Sequence, residues 1–130
     1  MKEYIAFQGS EFTIEWYFDS KGHSQALEYF CELPMSRKRK LLNLLRLMGD
    51  HGKIFDEIKF RHEGDGIYAF KPRPDRYLCF FFKGKKIVIT NAFMKKSQKL
   101  PETEKQRACK AQENYELRCK EGIYYEKNNV

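Results

Sequence analysis

The 130-residue sequence lacks several features that would place a protein in a class at once. No apolar run is long enough to cross a membrane, and the first residues, MKEYIAFQGSEF, lack the basic-then-apolar pattern of a signal peptide. The four cysteines form no CxxC pair, and the three histidines have no metal-ligand spacing. There is no glycine-rich phosphate loop and no GxSxG motif. We therefore expect a cytosolic protein with reduced cysteines, no cofactor, no metal and no membrane partner.

The composition predicts a folded chain. Hydrophobic residues make up 42% of the sequence and aromatic residues 15%, which is too apolar for a disordered protein despite 33% charged residues. The length fits one domain, residues 1–130, with a single core. Within it, we expect residues 1–10 to be a possible N-terminal extension and residues 120–130 to be a loose tail.

Positive charge is concentrated in the middle of the chain. The formal net charge is +7, but residues 1–58 carry −1, residues 59–100 carry +8 and residues 101–130 carry 0. A basic block confined to one segment is typical of a protein that binds a polyanion. A solvated lysine-rich face is the alternative, and composition alone leaves both open.

The first half of the sequence predicts strand and helix patterns. Residues 11–18, EFTIEWYF, alternate apolar and polar positions as a strand does, and residues 4–7 could form a short partner strand. Ser24 is a candidate N-cap for one helix, and a second helix begins near Ser36. We expect these two helices to form a hairpin that lies on a sheet.

The second half predicts a meander of strands followed by a helix. Residues 53–65 are irregular, and strands are expected over 67–71, 76–82 and 86–93, before a final helix that begins near Pro101. The predicted fold class is α+β: a small antiparallel meander sheet packed on an N-terminal helical hairpin, with a C-terminal helix. The basic residues of the middle segment would then lie on the exposed face of the sheet.

This topology brings cations from separate strands together. Lys71 ends one strand, Arg76 opens the next and Lys95 follows the third, so antiparallel pairing places all three at one end of the sheet. Because like charges repel, such a cluster predicts an anionic ligand that neutralises it. Asp75 is the only acidic residue near the cluster in sequence, and we expect it to cap the corner or to pair with Arg73.

One motif gives the chain a family resemblance. The run FMKKSQKLP (93–101) after an apolar strand resembles the HigB-like, phage-derived branch of the RelE/ParE toxin superfamily, and the resemblance covers roughly residues 53–118. It implies a RelE-like fold and the toxin of a bacterial type II toxin–antitoxin system. It also implies a metal-free, ribosome-dependent endoribonuclease that cuts mRNA in the ribosomal A site and so inhibits translation. The implied setting is the bacterial cytoplasm, and the implied partner is a cognate helix-turn-helix antitoxin.

The resemblance also implies roles for individual residues. Lys71 stands at the family's strand-end arginine, Arg76 at the arginine that opens the next strand, and Lys95 in the family's lysine pair. Arg76 and Lys95 would stabilise the transition state, while Lys71 would act as a charge clamp and proton-transfer group. The residues expected to contact the RNA backbone are Lys59, Arg73, Lys96 and Lys99.

The sequence departs from the family pattern at three of its positions. Asn91 replaces a histidine that many relatives carry, and Lys71 replaces a forked guanidinium with a point charge. Leu100 replaces a threonine that would cap the last helix, at a cost of about 1 kcal/mol.

Alternatives remain open from the sequence. A ParE-like poison of DNA gyrase shares the fold but generally lacks the cation cluster. A non-catalytic nucleic-acid-binding or antitoxin-bound relative would retain only the charge. The apolar residues of 41–48 belong either to the core or to an antitoxin contact. His62 and Ser97 are interpreted as solvated loop and turn residues rather than as catalytic groups.

Overall fold

A computed structural model describes residues 2–126 of the chain. Two strands come first, followed by two helices, four strands and a last helix. The strands are β1 (Ile5–Gln8), β2 (Thr13–Trp16), β3 (Phe60–Gly64), β4 (Ile67–Phe70), β5 (Asp75–Phe82) and β6 (Lys86–Met94). The helices are α1 (Gln25–Cys31), α2 (Met35–His51) and α3 (Glu102–Lys120).

All six strands form one sheet in the order β1-β2-β6-β5-β4-β3. The last four strands of the chain are an antiparallel meander, of which β4, β5 and β6 were predicted, and the α+β class is confirmed. The N-terminal pair is added beside β6, with β2 parallel to β6 and antiparallel to β1. β1, which lies within the predicted extension of residues 1–10, is a strand of the sheet.

One strand lies in a segment that was expected to be irregular. β3 is an edge strand that pairs with β4 over Phe60 to Gly64. Its sequence, FRHEG, has one strongly apolar side chain, which is buried. Pairing with β4 stabilises this strand, and the local sequence carries little of that information.

Helices cover both faces of the sheet, whereas the sequence predicted cover on one face. One core cluster joins Trp16 and Leu45 to Tyr77 beneath α1 and α2. The other joins Phe80 to Tyr115 beneath α3. Successive residues of β5 serve opposite clusters, which explains why its sequence is an almost unbroken apolar run. The predicted site cations consequently have no bare sheet face to occupy and lie at one end of the sheet, while Lys83, Lys85 and Lys86 lie at the other.

The two central helices pack on the sheet separately. α1 packs mainly on β6 and α2 on β1 and β2, and strands precede both, so an N-terminal helical hairpin is not confirmed. Ser24 is the N-cap of α1, as predicted, and its Oγ accepts a hydrogen bond from the Leu27 N–H at 3.3 Å. The apolar stripe of α2, including Leu41 and Met48, is buried and belongs to the core. Within residues 2–126, no helix has both the length and the apolar character that a membrane crossing requires.

The end of the chain is packed as far as the structure describes it. Tyr124 is only 2% exposed, and its hydroxyl accepts a hydrogen bond from the Phe18 N–H at 2.9 Å. The Tyr125 hydroxyl donates to the buried carboxylate of Glu15 at 2.7 Å. The expected loose tail is thus wrong for residues 121–126, because the burial of Tyr124 and the hydrogen bond of half-buried Tyr125 hold them. Residues 127–130 of that prediction lie outside the described residues.

Two glycines bring the β1–β2 turn into direct contact with α2. A Cβ added to Gly9 would lie 2.2 Å from the carbonyl carbon and oxygen of Gly49, so the two backbones touch. The Gly49 carbonyl also accepts hydrogen bonds from the N–H groups of Glu11 (2.7 Å) and Phe12 (2.9 Å). The turn is therefore docked on the helix by backbone atoms.

Gly9→Ala should destabilise the protein because its new methyl group meets backbone that cannot rotate away. We expect the free energy of unfolding to fall by about 2 kcal/mol or more. The matched control is Gly84→Ala, where φ is 77° but nothing lies within 4 Å of the added Cβ. That variant should lose about 1 kcal/mol through backbone strain alone. Equal losses in urea denaturation of the two variants would contradict the contact.

Candidate functional site

The end of the sheet where β4 stops and β5 begins collects the predicted catalytic cations. Arg76 lies opposite Phe93 in the antiparallel register. The Lys95 N–H donates to the Pro74 carbonyl at 2.8 Å, which places the end of β6 beside the start of β5. Lys71 directly follows the last residue of β4. The predicted convergence of these three residues is confirmed as geometry.

Arg76 is a buried cation without a matching anion. Only 4% of its surface is exposed, and its Nε has no hydrogen-bond partner among the described residues. Burial lowers the pKa of the Arg76 guanidinium. The charges of Arg61 and Arg73 lower this pKa further, whereas the carboxylate of Glu63 raises it. Because an unpaired buried charge is costly, Arg76 is the side chain that gains most from an anionic ligand.

Lys71 is electrostatically part of the same cluster. Burial lowers the pKa of its ammonium group, and the charges of Arg76 and Lys95 lower it further. Its Nζ donates to the Glu57 carbonyl at 3.1 Å, which fixes the side chain at the end of β4. A lysine with a lowered pKa releases its proton more readily, so Lys71 is suited to proton transfer.

Two clefts meet at Arg76. The first has a volume of about 440 Å³ and lies between α1, the end of β6 and the start of α3. Lys95, Lys96 and Lys99 line it together with Arg76. The second, of about 270 Å³, lies between β3 and the start of α3, and Lys99 also lines it. An anion in either cleft would meet the Arg76 guanidinium.

The remaining predicted RNA contacts lie in a separate groove. Lys59 and Arg73 line it together with Lys71, between α2 and the corner that joins β4 to β5. The seven predicted cations therefore form two groups, one around Arg76 and one in this groove. Lys71 connects the groups, because it lines the groove and its pKa responds to Arg76.

Asp75 neutralises a helix residue rather than the cluster. The expected pairing with Arg73 is wrong. The Asp75 carboxylate accepts hydrogen bonds from the Tyr29 hydroxyl at 2.5 Å and from Arg37 Nε at 3.0 Å, and Arg37 Nη2 also donates to it. Burial and the hydrogen bond to Asp75 raise the pKa of Tyr29 to about 12. Strand alternation turns Asp75 toward the helices on one face, while Arg76 lies on the other face.

Glu63 and Arg61 are two site residues that sequence reasoning missed. Both lie on β3, and the charges of both act on Lys71 and Arg76. The Glu63 side chain is only 10% exposed and lies 3.8 Å from Arg61 Nε. In the strand that forms, Arg61 and Glu63 are two residues apart and therefore lie on the same side, but the sequence FRHE carries no alternation that would have predicted this strand.

Two further residues were considered from the sequence: His62, which lies on β3 rather than in a loop, and Ser97, which lines the first cleft. His62 is exposed and packs on the ring of Tyr68, with ring centroids 4.6 Å apart. The Ser97 hydroxyl donates to the Lys99 carbonyl at 3.1 Å, as a turn residue does. The interpretation of Ser97 as a turn residue is therefore confirmed.

A side chain replaces a strand neighbour at the end of β6. The pairing of β2 with β6 ends at Trp16 and Ile89. Beyond it, Gln25 Oε1 accepts from the Ala92 N–H at 2.7 Å, and Gln25 Nε2 donates to the Ala92 carbonyl at 2.8 Å. Gln25 therefore holds the part of β6 that delivers Lys95 to the cluster.

Comparison with known proteins identifies the family. A family model described as phage derived protein Gp49-like (DUF891) matches residues 28–113, which is more than half of the chain and includes every cation of the cluster. The chain belongs to the Gp49-like family. This family is related to the RelE and HigB toxins, so the resemblance is confirmed at that level, and the HigB-like branch stays a prediction. No curated protein matches the sequence.

In this Gp49-like chain, the residues that depart from the expected motif are part of the support of the site. Asn91 is buried, and its Nδ2 donates to the carbonyl and to the carboxylate of Glu104 at 3.1 and 3.0 Å. It therefore ties β6 to the start of α3. Pro101 is the N-cap of α3 rather than its first residue, and no side chain caps the helix there. Leu100 lies one residue before this N-cap, so the expected threonine cap does not correspond to the capping position, and the helix start is held by backbone and Asn91 contacts.

Adjacent residues of β5 should respond to substitution in opposite directions. Asp75→Asn removes a buried charge partner of Arg37 and should lower the free energy of unfolding by about 1.5–3 kcal/mol. Arg76→Met removes an unpaired buried cation and should raise it by about 1 kcal/mol. Urea denaturation measures both. A loss of stability in Arg76→Met would show that its guanidinium is satisfied within the free protein.

Proposed function

We propose that this chain is the toxin of a type II toxin–antitoxin system, in the HigB-like branch of the RelE superfamily. Membership of the Gp49-like family supports the toxin assignment. We further propose that it is a metal-free, ribosome-dependent endoribonuclease that cuts mRNA in the ribosomal A site. The observation that carries this proposal is the buried, unpaired Arg76 guanidinium beside Lys71 and Lys95.

The proposed reaction needs no metal ion or cofactor. The ribose 2′-oxygen attacks the adjacent phosphorus, so the O2′–P bond forms and the P–O5′ bond breaks. A base takes the 2′ proton, and an acid gives a proton to the departing 5′-oxygen. The products are a 2′,3′-cyclic phosphate and a 5′-hydroxyl. Negative charge accumulates on the phosphorane oxygens, and fixed cations stabilise it.

The cluster supplies the fixed cations and one proton-transfer group for this reaction, and water supplies the proton for the departing 5′-oxygen. Arg76 and Lys95 stabilise the phosphorane, since both line the same cleft. Lys71 is the proton-transfer group because its pKa is lowered. Glu63 offsets part of the repulsion among these cations and thereby keeps the empty site folded.

The RNA backbone is held around this centre by further cations. Lys96 and Lys99 act from the Arg76 cleft, and Lys59 and Arg73 act from the groove beside Lys71. The proposed protein partner is a cognate helix-turn-helix antitoxin in the bacterial cytoplasm. Growth arrest on expression, relieved by co-expression of a neighbouring helix-turn-helix gene, tests that partnership.

The endoribonuclease proposal is tested in a translation extract with mapping of the RNA ends, with and without ribosomes. We expect cleavage only when ribosomes are present, and we expect its rate not to depend on metal ions beyond those that the ribosomes need. Arg76→Gln and Lys95→Gln should each lower the cleavage rate by about 100-fold, because each removes a cation from the transition state. Lys83→Gln is the matched control, since Lys83 is exposed at the opposite end of β5.

Three outcomes would contradict this function. One is an equal loss in the Lys83→Gln control. Another is RNA binding without cleavage in every condition, which would indicate a non-catalytic relative. The third is growth arrest with intact RNA and inhibited DNA supercoiling, which would indicate a gyrase poison.

The role of Lys71 gives a pH dependence. The neutral amine accepts the 2′ proton, and a lowered pKa makes it available at lower pH than for an ordinary lysine. The single-turnover rate should therefore rise with pH until Lys71 is deprotonated. Lys71→Arg keeps the charge but stays protonated, so the rise should disappear while RNA affinity is retained. A rise that persists in this variant would assign the base to another group.

A further inference from the structure

A groove beside the cluster is lined by Lys71 but not by Arg76. Its volume is about 340 Å³, and it lies between α2 and the corner that joins β4 to β5. Its lining carries four cationic side chains and no carboxylate. The lining residues are Lys40, Asn43, Leu44, Ile58, Lys59, Lys71, Pro72 and Arg73.

Hydrogen bonds fix the two walls of the groove. Lys40 Nζ donates to the Arg73 carbonyl at 3.2 Å, which links α2 to the β4–β5 corner. The Lys71 N–H donates to the Lys59 carbonyl at 2.8 Å, which extends the pairing of β3 with β4 by one step. The cations of the groove are thus held in place by the fold rather than gathered by a mobile loop.

Large apolar side chains are exposed on the loop that leads into the groove. Ile58, in the groove lining, is 57% exposed. Phe55, three residues earlier in the chain, is 86% exposed, and Lys53 Nζ lies 5.8 Å from its ring centroid. Leu44 and Pro72 are buried and form apolar parts of the groove. An exposed aromatic ring on a loop that leads into a basic groove suits single-stranded nucleic acid, because bases stack on rings while phosphates meet cations.

Lys71 belongs to both the groove and the proposed reaction centre, so the positive charges of the two sites act on each other. Lys71 lines the groove, and the charges of Arg76 and Lys95 lower its pKa. A phosphate in the groove would relieve the same repulsion that an anion at Arg76 relieves. A chain of phosphates is therefore a better match to this surface than one isolated anion.

We propose that this groove binds the single-stranded RNA that flanks the scissile phosphate, with Lys40, Lys59 and Arg73 on its phosphates and Phe55 against a base. This proposal rests on the proposed function. It adds to the RNA-binding site a wall that α2 forms. The favoured occupant is RNA rather than an acidic protein segment, because the exposed ring of Phe55 on the adjoining loop can stack on a base while the groove cations meet phosphates.

The test is fluorescence anisotropy of the full chain with uncleavable 2′-O-methyl RNA of three and nine nucleotides. Lys40→Gln, Lys59→Gln and Arg73→Gln should each weaken nine-nucleotide binding about threefold or more and reduce the salt slope by about 0.7. Three-nucleotide binding should change little. Phe55→Ala should weaken nine-nucleotide binding about fivefold or more without changing the salt slope. Each substituted side chain is exposed, and Lys83→Gln is the matched control.

Equal affinity for the two RNA lengths would overturn the groove proposal, as would equal losses in the Lys83→Gln control. Binding of a polyglutamate peptide is measured in the same variants. If the groove substitutions weaken peptide binding and leave RNA binding unchanged, the surface binds an acidic protein instead. Because the RNA cannot be cleaved, length-dependent binding stands even if the chain proves to have no nuclease activity. If the groove variants cleave and bind natural RNA with unaltered rates and affinities, the groove proposal is wrong while the proposed endoribonuclease function stands.

Discussion

The structure depends on how two consecutive residues at the start of β5 divide their charges between the faces of the sheet. Asp75 turns toward the helices, where Arg37 and Tyr29 take up its carboxylate. Arg76 turns the other way, where its guanidinium meets other cations. A sheet transmits this separation rigidly, because neighbouring side chains on a strand cannot share a face. Asp75, the acidic residue nearest to the cluster in sequence, therefore cannot neutralise the cluster.

The cluster is therefore kept positive by the fold. Glu63 offsets part of the repulsion, and the rest remains as a cost in the free protein. Two hydrogen-bonded side chains stabilise the elements that hold the cluster: Asn91 anchors the start of α3, and Gln25 anchors the end of β6. Stability and ligand affinity are then opposed at this place: the arrangement that weakens the empty protein is the one that attracts a polyanion.

The sequence was sufficient for the local parts of this picture. Periodicity and turn residues predict β4, β5 and β6 and the Ser24 cap. The order of these strands then predicts that Lys71, Arg76 and Lys95 meet. The pairs between distant segments did not follow. Asp75 and Arg37 are 38 residues apart, and no local pattern relates them. The same holds for the parallel pairing of β2 with β6, for helices on both faces and for the burial of Tyr124.

The contact between Gly9 and Gly49 has a mechanical consequence. Gly49 lies near the end of α2, and Lys40 lies nine residues earlier on the same rigid helix, about 13 Å away along its axis. With no side chain between the turn and the helix, the turn sets the height at which this end of α2 rests. The docked turn therefore helps to fix the position of α2 and, through the rigid helix, the position of Lys40 beside the β4–β5 corner.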